Sequence, residues 1–226
     1  MDKFIEQYNY PAKQVYDQNI DSIDKLYSAK NIPFLPIAGF ENAKWEKMLK
    51  EAKSLSDQYV THRAKESDGW QSLCIHGLSS VHTDHHSRYG FPDRNNAPYK
   101  WTDISNFCPT ITRFFKKSFG YNLYDRIRIM KLRPGGYIDL HQDVFDLDEA
   151  RLGPINIALN NPEDCKFYME DIGYLPFQQG SVIMLNLYNK HCVYNNSNDD
   201  RYHLIVHGKK DTTWPDRLWN SYKLHA

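Results

Sequence analysis

The sequence predicts a mainly β fold with flanking helices: a double-stranded β-helix of jelly-roll or cupin-like type behind a helical N-terminal region. Three observations predict it. From Tyr121 onward, short apolar and β-branched runs alternate with clusters of turn residues. Upstream, Trp45, Met48, Leu49, Ala52 and Leu55 recur at the spacing of one helix face. The residues able to hold a metal, His141, Asp143 and His191, fall at the ends of the C-terminal runs.

Taken in order, the N-terminal stretch is polar and Tyr-rich and is broken by Pro11, Pro33 and Pro36, with a short helix expected over Ile20 to Tyr27. Glu41 to Tyr59 reads as an amphipathic helix. Residues 1–66 are expected to form the helical region and 67–226 the barrel, as one structural unit. Trp70 to Ile75 is the first strand of the barrel. The polar loop from there to Tyr99, roughly 20 residues, exceeds the usual connection length and is a candidate substrate lid. A helix starting at Ser105 or Asn106 carries Ile111, Phe114 and Phe115 and ends near Gly120. Ile127 and Ile129 alternate with Arg126 and Arg128 in the next strand. Arg133-Pro134-Gly135-Gly136 breaks it, and Tyr137 to Leu140 delivers His141. Pro154 to Leu159 and Lys166 to Met169 are strands around the turn Asn160 to Asp164. Gly180 to Leu185 leads to His191, and the polar turn Asn195 to Asp200 leads to the strand Arg201 to His207. Trp214 and Trp219 are expected to cover the barrel edge. No internal repeat is present.

Composition narrows the function classes. At 226 residues the chain can bury a sizeable core. Lys plus Arg and Asp plus Glu are 28 each, giving zero formal charge, and no basic stripe marks a nucleic-acid partner. No run approaches the roughly 20 apolar residues that span a bilayer. Met1-Asp2-Lys3-Phe4-Ile5-Glu6 lacks the basic-then-apolar order of a signal peptide. Cys74, Cys108, Cys165 and Cys192 show neither zinc spacing nor a disulfide framework, so reduced thiols and a cytoplasmic location are expected.

The chemistry concentrates in His141-Gln142-Asp143, His191 and Arg201. Two imidazoles and a carboxylate can occupy one face of an iron ion and leave the other open, the ligand set of non-haem Fe(II) oxygenases. Residues i and i+2 of a strand share a side, so His141 and Asp143 can face one metal. His191 ends one strand and Arg201 begins its antiparallel neighbour. That arrangement can bring a guanidinium near the metal, where such enzymes hold the carboxylate tail of a 2-oxoacid through two parallel hydrogen bonds. His203 shares the face of Arg201 and is either a second contact to that carboxylate or a structural histidine. Arg201 itself has an alternative partner in Asp199 or Asp200.

His82-Thr83-Asp84 with His141 and Arg151 forms a rival frame of the same type. Local context separates the two. No strand periodicity follows His82 to His86, and Arg151 follows the acidic segment Asp146 to Glu149 rather than an apolar run.

At these residues the chain resembles the aspartyl/asparaginyl β-hydroxylase family of Fe(II)- and 2-oxoglutarate-dependent oxygenases. The resemblance runs from about Trp70 to about His207 and includes Cys108-Pro109-Thr110, Phe114-Phe115, Arg126 to Arg133 with Pro134-Gly135, His141, Pro162, Cys165-Lys166, Gly180, His191 and Arg201. It implies that His141 and His191 bind Fe(II) and that Arg201 binds 2-oxoglutarate, with O2 as the second cosubstrate. Some members have Gly where Asp143 stands; here the carboxylate is present, as in related free-proline hydroxylases, which argues against halogenation. Asn156 or a neighbour stands where the family has a His that supports 2-oxoglutarate, and Met130 replaces a small polar residue. The implied reaction hydroxylates an unactivated C–H bond of an amino acid, free or within a peptide or protein, with release of succinate and CO2. Gln71, His76, Arg88, Arg128 and Arg151 are the candidate substrate contacts. The competing reading is a cupin-type module that holds a metal or small acid without turnover.

Overall fold

A computed structural model describes residues 12, 20–28, 32–64, 67–143 and 154–225. In chain order the helices are α1 (Ile23–Ser28), α2 (Trp45–Ser54), α3 (Ile104–Phe107), α4 (Pro109–Lys117) and α5 (Trp214–His225). The strands are β1 (Phe34–Pro36), β2 (Val60–Thr61), β3 (Ser67–Gly77), β4 (Lys100–Trp101), β5 (Tyr121–His141), β6 (Ile155–Ala158), β7 (Cys165–Met169), β8 (Gly173–Tyr174), β9 (Val182–Leu185), β10 (His191–Asn195) and β11 (Arg201–Lys210).

The paired strands run in the order β1-β9-β6-β11-β5-β10-β7-β8, with β3 also on β5. All the pairings are antiparallel. The sheet is curled through β5, which belongs to both halves. Its first part pairs with β11 from Tyr121 to Leu132, and its last part pairs with β10 through Tyr137, Ile138 and His141. One layer is therefore β1-β9-β6-β11-β5-β3 and the other is β5-β10-β7-β8, the two facing layers of a double-stranded β-helix.

Arg133-Pro134-Gly135-Gly136 does not end the strand, as the sequence predicts, but turns it from one layer into the other. None of these residues is paired in the ladders of β5, so the missing N–H of Pro134 costs no ladder bond. Gly135 has φ +71°, and a Cβ on Gly136 would stand 2.9 Å from the carbonyl oxygens of both Arg133 and Asp68.

Period-2 alternation gives the larger layer two apolar faces. Leu73, Ile75, Ile127, Ile129, Ile155, Ile157, Val182, Met184, Leu204 and Val206 point outward, against Met48, Leu49 and Ala52 of α2, Ile111 and Phe115 of α4, and Trp214 and Leu218 of α5. Trp70, Met130, Leu132, Ala158, Ile183 and Leu185 point inward, against Phe167, Met169 and Val193 of the smaller layer. The site lies in this inner space.

Two helical expectations change in detail. The helix expected over Glu41 to Tyr59 is shorter, Trp45–Ser54, followed by a separate 3-10 turn at Ser56–Gln58. The single helix expected from Ser105 or Asn106 is two, α3 and α4, divided at Cys108 with φ −126° and ψ 63°. Pro109 is the cause: its ring excludes α geometry from the residue before it, and it is itself well placed at a helix start. α5 lies over the outer face and reaches edge strand β1, where Ser221 Oγ accepts the N–H of Ala38 at 3.0 Å. No helix among the described residues is long and apolar enough to cross a membrane.

Candidate metal centre

β5 ends on His141 and β10 begins on His191, and these two residues are ladder partners. Asp143 follows the end of β5, its N–H donating to the Leu187 carbonyl at 3.1 Å. Pairing and turn together bring the ligand atoms of His141, Asp143 and His191 within 4.8 Å of one another. The His141 and His191 rings are 4.3 Å apart, and His141 Nε2 is 3.9 Å from Asp143 Oδ1.

The tautomers suit a metal. His141 Nδ1 lies 2.7 Å from the Asp139 carbonyl and His191 Nδ1 lies 3.0 Å from the Asn189 carbonyl. A carbonyl only accepts, so each Nδ1 carries the hydrogen and each Nε2 offers a lone pair. Burial, and then the neighbouring His141, lower the His191 pKa to about 4, which keeps its ring neutral. Phe167 stacks on His191 with ring centres 5.5 Å apart. Neutral imidazoles and a carboxylate on one side fit a divalent first-row ion.

Arg201 and His203 line the same interior. The His203 ring packs on Phe177 at 4.8 Å, Phe177 on Phe167 at 5.7 Å, and Phe167 on His191. Arg201 is buried, and Nη2 lies 2.8 Å from His203 Nδ1. That Nδ1 is also 2.7 Å from Asn156 Oδ1. A guanidinium only donates, so Nδ1 of His203 accepts, its hydrogen sits on Nε2, and the Asn156 amide must turn its NH2 rather than Oδ1 toward that nitrogen. Arg201 Nε is buried with no hydrogen-bond partner among the described residues. Among the described residues no carboxylate pairs with Arg201; Asp200 instead meets Lys131 at 3.2 Å. Burial pushes the Arg201 pKa down to about 10, and burial followed by Arg201 holds His203 well below its usual value. A buried cation with an orphaned N–H forms a socket for an anion.

The rival frame does not assemble. Among the described residues only His141, Asp143 and His191 cluster as a candidate metal set. His82 stacks on Tyr89, and Asp84 is taken by Arg88 at 2.7 Å and lies 3.8 Å from Arg63.

The candidate substrate contacts divide. Gln71 is in register with Lys131, so it faces away from Met130 and the inner space. A register shift between Cys74 and His76 turns His76 outward too, where it pairs with Ile127 and packs on Trp101 and Tyr124. Neither meets the expectation of a substrate contact. Arg88 lies mostly in solvent on its ion pair with Asp84. Arg151 lies outside the described residues. Arg128 does face inward. It is buried, with Nη1 donating to the Thr83 carbonyl at 2.9 Å, Nη2 3.2 Å from His207 Nε2, and Nε without a partner among the described residues. Burial, and then Arg126, lower its pKa to about 9.

Sequence reading missed Arg63, whose Nη1 lies 3.3 Å from Asp143 Oδ1, because no pattern precedes it. It also missed His207 and Phe177; alternation from Arg201 would have found the first.

A sequence profile of the aspartyl/asparaginyl β-hydroxylase family matches residues 42–210. A prolyl-4-hydroxylase from Pseudomonas putida superposes with TM-score 0.48 and 16% identity, over 83% of this chain and 96% of that one. A prolyl hydroxylase from Trichoplax adhaerens, solved with a hypoxia inducible factor peptide, gives 0.48 and 12%, over 90% of each chain. A viral collagen prolyl hydroxylase from Paramecium bursaria chlorella virus 1, solved with 2-oxoglutarate, gives 0.44 and 14%, over 78% and 95%. No curated protein matches the sequence.

Proposed function

The chain belongs to the aspartyl/asparaginyl β-hydroxylase family and is an Fe(II)- and 2-oxoglutarate-dependent hydroxylase; we propose that it hydroxylates an unactivated C–H bond of an amino acid, free or within a peptide, with release of succinate and CO2. The observation that carries this reading is one interior shared by the His141–Asp143–His191 cluster and a buried arginine that meets no carboxylate among the described residues. His141, Asp143 and His191 would hold Fe(II), and Arg201 would take the distal carboxylate of 2-oxoglutarate.

Bound iron supplies the activation of O2 that couples oxidative decarboxylation of the 2-oxoacid to hydroxylation, one oxygen atom going to succinate and one to the substrate carbon. The chain's own contribution is placement. Asp139 and Asn189 fix the two imidazole orientations through their carbonyls. Arg201 and His203 set the depth at which the cosubstrate sits. Phe167, Phe177 and Met130 make the surroundings apolar and keep water from the reacting centre. His203 takes the place of a second carboxylate contact, with Asn156 behind it.

On the substrate side, Arg128 is the inward-facing cation and suits a substrate that bears a carboxylate. Leu132 is the ladder partner of Arg201, and Arg128 stands four residues up the strand from it. That separates the two cations by roughly 13 Å along the sheet. The cosubstrate and the substrate carboxylate therefore have separate anchors.

Incubation of the iron-loaded protein with 2-oxoglutarate, O2 and a panel of free amino acids and short peptides tests the reading. Succinate formed in step with a hydroxylated product supports it. A protein that binds iron and 2-oxoglutarate yet forms no succinate with any member of the panel is a binding module instead.

A further inference from the structure

Arg63 reaches the Asp143 carboxylate from outside the motif. It lies between β2 and β3 with φ +46°, a conformation that a residue bearing a Cβ adopts only when its surroundings impose it. The surroundings do so. The Ser67 hydroxyl lies 3.0 Å from the His62 carbonyl and 3.1 Å from that of Arg63. The His62 ring is held 3.0 Å from Thr83 Oγ1 and 3.1 Å from Ser72 Oγ, edge-on to Trp70. The His62 ring and the carbonyls of His62 and Arg63 are thus held, and the Arg63 side chain is aimed.

Among the described residues it meets two acids. Nη1 lies 3.3 Å from Asp143 Oδ1 and Nε lies 3.8 Å from Asp84 Oδ1. The same Oδ1 of Asp143 is the atom that faces His141 Nε2. Asp143 follows the end of β5, so no ladder fixes its side chain, whereas His141 and His191 are both held by strand pairing. Asp84 belongs to the 78–99 loop, whose Thr83 carbonyl sits on Arg128 at the inner face. A carboxylate that gives one lone pair to a metal keeps others for a guanidinium.

We propose that Arg63 is a positioning residue that orients the Asp143 carboxylate toward the metal and ties that ligand, through Asp84, to the 78–99 loop. The inference rests on the metal reading above. Co(II), added to the full-length metal-free protein without 2-oxoglutarate, is the probe, followed by calorimetry and by its visible d–d absorption. His141→Ala should bind no Co(II) at the site. Arg63→Gln and Arg63→Gly should each bind it about 10-fold or more weakly than the parent and with an altered spectrum, and Asp84→Asn should lose less in the same direction. Glycine accepts the positive φ, so Arg63→Gly should keep the parental thermal midpoint without metal, which separates loss of the guanidinium from loss of the fold. Parental affinity and spectrum in Arg63→Gly overturn the proposal, whatever Arg63→Gln does. A parent that takes up no Co(II) overturns the metal reading itself, and this proposal with it.

Discussion

Arg201 shows how a single side chain can specify a ligand. A buried guanidinium that meets no carboxylate among the described residues is expensive to keep in a folded protein, and burial already depresses its pKa to about 10. Replacing it by Gln should weaken 2-oxoglutarate binding by about 2 kcal/mol or more, roughly 30-fold, while Co(II) affinity stays at the parental value. Arg201→Lys should recover only part of the loss, since an ammonium cannot form the two parallel hydrogen bonds. Isothermal titration of each variant with the metal and then with the 2-oxoacid separates the two effects. These residues were legible because their types are chemically unusual together. His76 was misplaced for a different reason. A one-residue register shift in β3 reverses the face of everything beyond it, and no residue in Leu73-Cys74-Ile75 announces such a shift.

At the scale of elements, the strands that carry the site were legible from alternation, but not their breaks or pairing. His191 begins β10 rather than ending a strand, and β11, begun by Arg201, pairs with β5 and β6 and not with β10. Pro134-Gly135-Gly136 reads as a stop, yet β5 continues through it because the residues fall between two ladders. The division of α3 from α4 was visible in Cys108-Pro109, but what caps α4 was not. Its cap comes from another helix. The Glu51 carboxylate of α2 accepts the N–H groups of Thr110, at 2.9 and 3.0 Å, and of Ile111, at 3.1 Å. It satisfies orphan donors at the positive end of the α4 dipole, a contact made across the chain that no local sequence pattern reveals. Glu51→Ala should cost about 1–2 kcal/mol, lowering the thermal midpoint by about 3–6 °C. An unchanged midpoint would show that water replaces the carboxylate without loss.

For the whole molecule, the two-faced layer built on β5 explains why one sheet carries both stability and chemistry. Its outer face is apolar and covered by α2, α4 and α5. Its inner face gives up part of its apolar lining to Arg128, Arg201, His203 and Asn156. Buried neutral histidines make the fold acid-sensitive. Burial, followed by the charge of Arg128, lowers the His62 pKa from its ordinary 6.5 to about 2. Below pH 6.5 the unfolded chain therefore binds a proton that the folded protein refuses. The contribution of each such histidine should be constant above that pH and should fall by about 1.4 kcal/mol per pH unit as the pH drops toward 2. Urea midpoints between pH 8 and pH 4 measure this, and His62→Gln should flatten the slope. A parental slope that matches the variant's would remove His62 from the account.

The central claim is that the two imidazoles, the carboxylate and the buried arginine act on one iron and one 2-oxoacid. Anaerobic addition of Fe(II) and then 2-oxoglutarate measures this most directly, through the weak visible absorption band that chelation of the 2-oxoacid to Fe(II) produces. The band should develop in the parent, be absent in His141→Ala, and in Arg201→Gln require a much higher 2-oxoglutarate concentration. A parent that binds both additions without developing the band, or an Arg201→Gln protein that develops it at the parental concentration, would contradict the account.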